Sequence, residues 1–81
     1  MTLPPNPIAL QQMDSDLHDL CQPLTALQCR LEIGKMIGDE GALQEAVDGS
    51  LEETQRMFEV IARMRQHLVR AQESSKLADS Q

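Results

Sequence analysis

The sequence predicts an all-α fold in which two antiparallel helices form a hairpin and two hairpins pair into a dimeric four-helix bundle. Two long segments carry apolar residues at alternating spacings of three and four, which places those residues on one side of an α-helix. Phe58 is the single aromatic residue among 81, so the core has to be aliphatic, which suits helix packing better than sheet packing. A short, glycine-rich link separates the segments, and short links join antiparallel neighbours.

The first helix is predicted over about residues 7–37. Asn6 is a favourable N-cap, and Pro7 fits the first helical position because its missing N–H needs no partner there. Residues 1–6, which hold two further prolines, are expected to form a disordered arm. The apolar stripe of this helix consists of Leu10, Met13, Leu17, Leu20, Leu24, Leu27 and Leu31. Since this spacing continues through Pro23, we expect the proline to kink the helix and not to end it.

The second helix is predicted over about residues 42–73. A turn at about 38–41 precedes it, in which Gly38 is suited to cap the first helix and Asp39 to begin the second. The corresponding stripe of the second helix, in which seven of nine residues are apolar, consists of Leu43, Val47, Ser50, Thr54, Met57, Ile61, Met64, Leu68 and Ala71. Residues 74–81 are polar and are expected to form a disordered tail.

A single hairpin leaves part of each stripe in contact with water. Pairing of two hairpins closes a four-helix bundle and buries the stripes of all four helices. We therefore expect a homodimer.

Charge and composition exclude several classes of partner. The formal net charge is −6, whereas nucleic-acid binding needs a basic surface. No apolar run reaches the ~20 residues of a membrane span, and no secretory signal is visible. Cys21 and Cys29 are too far apart on one helix to form a disulfide. We therefore expect a cytoplasmic protein with two reduced thiols and without a nucleic-acid or membrane partner.

Charged residues of the second helix are expected to face solvent. Glu52 with Arg56 and Glu59 with Arg63 have the spacing of ion pairs between adjacent turns. His67 is likewise expected to be a solvated residue, and the histidines and cysteines follow no zinc-ligand spacing. These residues are therefore not expected to form a functional site.

The segment DLHDLCQPL, residues 16–24, is the part of the sequence that indicates a function. His18 falls outside the apolar stripe and is expected to be exposed, with Gln22 one turn further on the same face. A neutral imidazole is a nucleophile, and the neighbouring carboxylate of Asp19 can hold its tautomer and accept its proton. The amide of Gln22 can orient a water molecule or a phosphoryl oxygen. This set of residues suits phosphoryl transfer through nitrogen, although the spacing alone is a weak signal.

Residues 18–24, HDLCQPL, resemble the H-box of sensor histidine kinases, His-(Glu/Asp)-Leu-x-(Thr/Asn/Gln)-Pro-Leu. The match continues as HDLCQPLTALQCRLEIG, and LEETQRMFEVIARMRQHL is similar to the second helix of the dimerisation and phosphoacceptor domain of that family. The resemblance covers roughly residues 10–72. It implies that His18 is the phosphoacceptor, that Asp19 assists as acid or base, and that Gln22 orients water or the phosphoryl group.

Several features depart from the family pattern. Cys21 stands where Arg, Lys or Asn is usual, and Gln22 is longer than the Thr or Asn of members that also dephosphorylate their response regulator. The ATP-binding domain of these kinases has no counterpart here, since the four glycines do not cluster into a phosphate-binding loop. The chain alone is therefore expected to bind no cofactor and to have no kinase activity. Mg²⁺ is expected only in a partner receiver domain.

The sequence leaves several functions open. The first is a histidine phosphotransfer protein in which His18 exchanges a phosphoryl group with the aspartate of a response-regulator receiver domain. The second is a non-catalytic adaptor or regulator that binds a histidine kinase or a response regulator through the kinase-like hairpin. In either case, the chain is a free-standing protein or a piece of a kinase. A helical dimer without a signalling role is the third.

Overall fold

The computed structural model describes the backbone of residues 7–79 and the side chains of residues 7–73. Over this range the chain forms two helices, α1 (Pro7–Ile37) and α2 (Glu40–Asp79), and no strand. The helices pack against each other as an antiparallel hairpin about 64 Å long, which confirms the predicted all-α hairpin. The expected arm at residues 1–6 and the last two residues of the expected tail lie outside the described backbone. Neither helix, as far as it is described, is both long enough and apolar enough to cross a membrane.

The link between the helices consists of Gly38 and Asp39. Gly38 has a φ of 74°, a left-handed conformation that glycine adopts without strain, and its N–H donates to the carbonyl of Gly34 at 2.9 Å. The Oδ1 atom of Asp39 accepts a hydrogen bond from the N–H of Ala42 at 2.7 Å, and its carbonyl accepts from Leu43 at 3.0 Å. The sequence predicted these capping roles, and the contacts confirm them.

Helix α2 is longer than the sequence predicted. It begins at Glu40, directly after the Asp39 cap, and not near residue 42. It continues to Asp79, whereas we expected it to end near residue 73. The last residues are polar, but they contain neither glycine nor proline, so nothing in their backbone preferences stops the helix.

The line along which the two helices touch consists of small and charged residues. The buried residues on this line are Asp16, Pro23 and Gly34 on α1 and Ala46, Gly49 and Glu53 on α2. The helices approach each other closely at Gly34, where a Cβ atom would come within 2.5 Å of the Cβ of Ala46. The leucine stripe of α1 is therefore not the main contact inside the hairpin.

Several large apolar side chains lie one residue past positions that face the other helix and remain about half exposed. Nine are exposed by 45–51%, of which Val69, two residues past His67, points away from α1. The other eight are Leu10, Met13, Leu17, Leu24 and Leu31 on α1 and Leu43, Val47 and Leu68 on α2. A step of one residue turns a side chain by about 100° around the helix axis. In an antiparallel pair, this turn brings the side chains of both helices to the same side of the hairpin. The eight residues therefore form one continuous surface along the hairpin, which we call the apolar face.

Candidate functional site

His18 lies on the outer side of α1 and is exposed. Asp16 and Pro23 are buried against α2, and His18 is two residues, or about 200°, past Asp16, so it points away from α2. Its side chain lines a shallow open groove together with Cys21, Gln22 and Thr25. The structure thus brings His18 and Gln22 to one surface, where an imidazole nitrogen is accessible to a partner molecule.

Pro23 lies on the other side of α1, where it is buried against α2. The helix continues through it, as predicted, up to Ile37. Since proline has no N–H, the carbonyl of Asp19 lacks its usual partner within the helix. Two of the residues that line the groove are joined by a hydrogen bond, in which the hydroxyl of Thr25 donates to the carbonyl of Cys21 at 2.8 Å.

Asp19 is adjacent to His18 in sequence, but its carboxylate is directed to α2. The Oδ2 atom of Asp19 accepts a hydrogen bond from Nη2 of Arg63 at 2.7 Å. Consecutive residues of a helix are separated by about 100°, which takes the Asp19 side chain out of the groove. The structure therefore does not bring Asp19 together with His18 and Gln22.

Asp16 is buried at the centre of a polar network between the helices. Its Oδ1 accepts from Nε of Arg63 at 2.9 Å, and its Oδ2 accepts from Nδ1 of His67 at 2.7 Å. Since Arg63 also donates to Asp19, four side chains are joined: Asp16, Asp19, Arg63 and His67. We call this group the interhelical clamp.

The clamp shifts the pKa values of two of its members. The hydrogen bond from His67 is the largest influence on Asp16 and lowers the pKa of its carboxyl group; burial opposes this and the Arg63 guanidinium adds to it. The hydrogen bonds to Asp19 and then to Asp16 raise the pKa of Arg63. Asp16 is therefore held in its charged form between two donors from α2.

The expectations for Arg63 and His67 on α2 are wrong. Arg63 bonds to the two carboxylates of α1 and not to Glu59, because it faces α1 and two acceptors lie within reach there. His67 is not a solvated residue, since its side chain is 22% exposed and bonded to Asp16. The sequence signal for both contacts was Asp16, which precedes Leu17 of the α1 stripe. When the stripe is turned outward, the preceding position faces α2.

A second cluster of charges lies nearer the turn. Glu53 is buried, pairs with Arg56 one turn further on, and lies 3.6 Å from Nε of Arg30 on α1. Arg56 was expected to pair with Glu52, but the buried carboxylate of Glu53 binds it instead. The side chain of Arg30 runs across Gly49, where a Cβ atom would lie 2.8 Å from its Cδ. Gly49 therefore leaves the space that this arginine occupies.

The two cysteines are free thiols in the structure, and both are exposed. Cys21 forms part of the wall of the groove beside His18. Among the described side chains, no group of three or more His, Cys, Asp or Glu residues is arranged to hold a metal ion.

Comparison of the chain with protein-family models, curated proteins and solved structures gives no match. The assignment of a function therefore depends on three features of the molecule itself. These are the groove around His18, the interhelical clamp and the apolar face.

Proposed function

We propose that this chain is a dimeric phosphoacceptor protein of two-component signalling and that His18 exchanges a phosphoryl group with the aspartate of a receiver domain. The observation that carries the proposal is the position of His18, whose imidazole is exposed in an open groove beside Gln22. Pro23 follows Gln22 inside an unbroken helix. This is the arrangement that the resemblance of residues 18–24 to the H-box implies. Such a protein would act in the cytoplasm together with its receiver or kinase.

The proposed transfer requires an accessible nitrogen and a partner that supplies the remaining groups. A nitrogen of neutral His18 attacks the phosphorus of a phosphoaspartate, an N–P bond forms, and the acyl O–P bond breaks. The aspartate of the receiver leaves as a carboxylate, and the phosphoimidazolium that forms loses the proton of its other ring nitrogen to a nearby base or to water. The groove offers an imidazole, a thiol, an amide and a hydroxyl. These side chains do not fit Mg²⁺, which prefers carboxylate oxygens, so the ion belongs to the receiver.

The homodimer is part of this proposal, and the exposed area of the apolar face supports it. A leucine-sized side chain that is half exposed offers roughly 80–90 Å², so the eight residues give on the order of 700 Å² per copy. Stable interfaces bury about 800 Å² per partner. Pairing of two apolar faces would produce the four-helix bundle and would leave the groove of His18 on the outside.

A second candidate is a non-catalytic adaptor that binds a histidine kinase or a response regulator. It is favoured by the position of Asp19, whose carboxylate is bonded to Arg63 and not placed beside His18. The thiol of Cys21, which stands where the kinase family has a cation or an amide, favours it as well. Both candidates use the outer side of α1 for a partner, but only the first needs the imidazole.

Phosphoryl transfer from a panel of receiver domains separates the two candidates. The receivers are loaded with a small-molecule phosphodonor, and the intact mass of this chain is then measured at neutral pH. The proposal predicts one added phosphoryl group on the wild type and on His67→Gln, and none on His18→Gln. If none of the receivers transfers phosphate, although some bind the folded dimer, the adaptor function is supported and the phosphotransfer function is rejected.

A further inference from the structure

The outer side of α2 carries two large apolar residues beside the apolar face. Leu51 and Phe58 are seven residues apart and are 64% and 62% exposed. Gly49 and Glu53 face α1, and Leu51 is two residues from each, so Leu51 and Phe58 point away from α1. The single aromatic side chain of the protein is thus left in solvent by the hairpin.

The interhelical clamp fixes the height of Phe58 relative to α1, that is, its position along the long axis of the hairpin. Asp16 bonds to both Arg63 and His67, so it lies level with the middle of that helical turn. Because the helices are antiparallel, each step forward along α1 is matched by one step back along α2. Pro23 therefore lies level with Phe58, and the groove beside Pro23 lies within a few residues of that height.

We propose that Phe58 of one copy forms an edge of the His18 groove of the other copy, so that the candidate site is shared between two subunits. When two apolar faces pair with the turns at the same end, α2 of one copy lies beside α1 of the other. Phe58 borders the apolar face on the outer side of α2, and Cys21 borders it on the outer side of α1. Since they are two residues apart in height, or about 3 Å, the two side chains meet. This inference rests on the dimer of the proposed function, but not on phosphoryl transfer.

Charge complementarity supports the arrangement with both turns at the same end. Asp14 and Arg65 lie on the outer edges of α1 and α2, and neither forms an ion pair within the described part of the chain. Arg65 lies level with Asp16, so it is about 3 Å in height from Asp14. In the proposed dimer, Asp14 of one copy lies opposite Arg65 of the other. With the turns at opposite ends, α2 would lie against α2, and the carboxylate of Asp14 would be out of reach of Arg65.

A disulfide formed with the native Cys21 tests the proposal. In a Cys29→Ser background, Phe58→Cys introduces a thiol that should lie next to Cys21 of the other copy. Within one hairpin, Cys21 and position 58 lie on opposite outer sides, so a bond inside one chain is excluded. Mild oxidation is expected to convert most of this variant into a covalent dimer on a non-reducing gel.

Two matched variants complete the test. Adding Cys21→Ser should abolish the covalent dimer, and Glu59→Cys in the Cys29→Ser background should give none, because position 59 is turned to the polar side of α2. The proposal is overturned if Phe58→Cys gives no covalent dimer. It is equally overturned if the covalent dimer persists with Cys21→Ser, since the introduced thiols would then meet each other in a dimer with its turns at opposite ends.

The crosslink and the phosphoryl transfer fail independently. The crosslink needs no phosphodonor and no receiver, so its absence leaves transfer to His18 untouched. Conversely, a covalent dimer in the absence of any transfer would place Phe58 at the groove of a protein that is not a phosphoacceptor.

Discussion

Asp16 and His67 are 51 positions apart in the chain, yet Oδ2 of Asp16 lies 2.7 Å from Nδ1 of His67 inside the hairpin. Arg63 donates to the other oxygen of the same carboxylate at 2.9 Å and to Asp19 at 2.7 Å. These contacts lie at the height of His18, on the opposite side of α1 from the groove. The clamp therefore fixes the register of α1 against α2 where the candidate site is formed.

The clamp predicts a pH dependence of stability. The folded state lowers the pKa of Asp16 below its ordinary value of 3.8, so its stabilising contribution is fully present above that pH and is lost as the pH falls through the lower folded value. Asp16→Asn should remove this part of the acid dependence, as measured by urea unfolding from pH 7 to pH 3. Glu59→Gln, which removes an exposed acid that forms no ion pair within the described part of the chain, is the control. Equal acid dependence in the wild type and in Asp16→Asn would contradict the role given to Asp16.

Arg63 should not be replaceable by lysine. Its planar guanidinium donates to two carboxylates at once, whereas an ammonium group is a single point of attachment with a different reach. Arg63→Lys is expected to lower the thermal midpoint measured by circular dichroism, and Arg63→Ala to lower it further. The neighbouring Arg65→Lys should leave the midpoint of the hairpin nearly unchanged. If Arg63→Lys were as stable as the wild type, simultaneous donation by the guanidinium to two carboxylates would not be required.

Gly34→Ala should destabilise the hairpin. The added Cβ atom would lie 2.5 Å from Cβ of Ala46 and 3.2 Å from the carbonyl oxygen of Ala42, so the helices would have to separate. Overpacking of this kind costs about 1–3 kcal/mol, which exceeds the gain of up to about 1 kcal/mol in helix propensity. Urea unfolding measures the difference.

Gly41→Ala is the matched control for Gly34→Ala. At position 41 the nearest atom to an added Cβ is Oδ1 of Asp39 at 3.6 Å, an ordinary contact. The free energy of unfolding should therefore stay the same or rise slightly. If the two substitutions had the same effect, close approach of the helices at Gly34 would not be the cause.

The apolar face should carry the dimer contact. Leu24→Asp places a charge on this face and is expected to weaken dimerisation by about 100-fold or more, because an unpaired buried charge costs several kcal/mol. Ile33→Asp is the control, since Ile33 is similarly exposed, 56% against 49% for Leu24, but lies on the other side of the hairpin. Sedimentation velocity over a range of concentrations gives the dissociation constants. Loss of the dimer in Ile33→Asp but not in Leu24→Asp would show that the dimer forms through the side of Ile33 and not through the apolar face.

The helices and the turn followed from local properties of the sequence. The alternating spacing of the leucines, the left-handed preference of Gly38 and the capping preference of Asp39 each act over a few residues. The groove was partly predictable for the same reason, because His18 and Gln22 are separated by one helical turn. The end of α2 was not predictable, since polar residues reduce the burial of a helix but do not end it as glycine or proline would.

The contact line could not be derived from the apolar pattern. We expected a single hairpin to leave part of each stripe in contact with water, but the sequence did not indicate that Pro23 and Gly34 would lie on the contact line while Leu24 and Leu31 lie on the apolar face. Small residues let the helices approach closely, and the large side chains are left for a second surface. The pairing of Asp16 with His67 depends on this line and on the register of the hairpin, so neither residue alone signals it.

The most direct test of the account is to locate the phosphoryl group after incubation with a phosphorylated receiver. Trypsin cleaves after arginine and lysine, so His18 falls in the peptide of residues 1–30 and His67 in the peptide of residues 66–70. Mass spectrometry at neutral pH, with a fragmentation method that preserves phosphohistidine, then assigns the site. The account predicts phosphate on His18 within peptide 1–30, with His18→Gln within about 0.5 kcal/mol of wild-type stability. Phosphate on His67, or none on either peptide after incubation with receivers that bind the dimer, would contradict it.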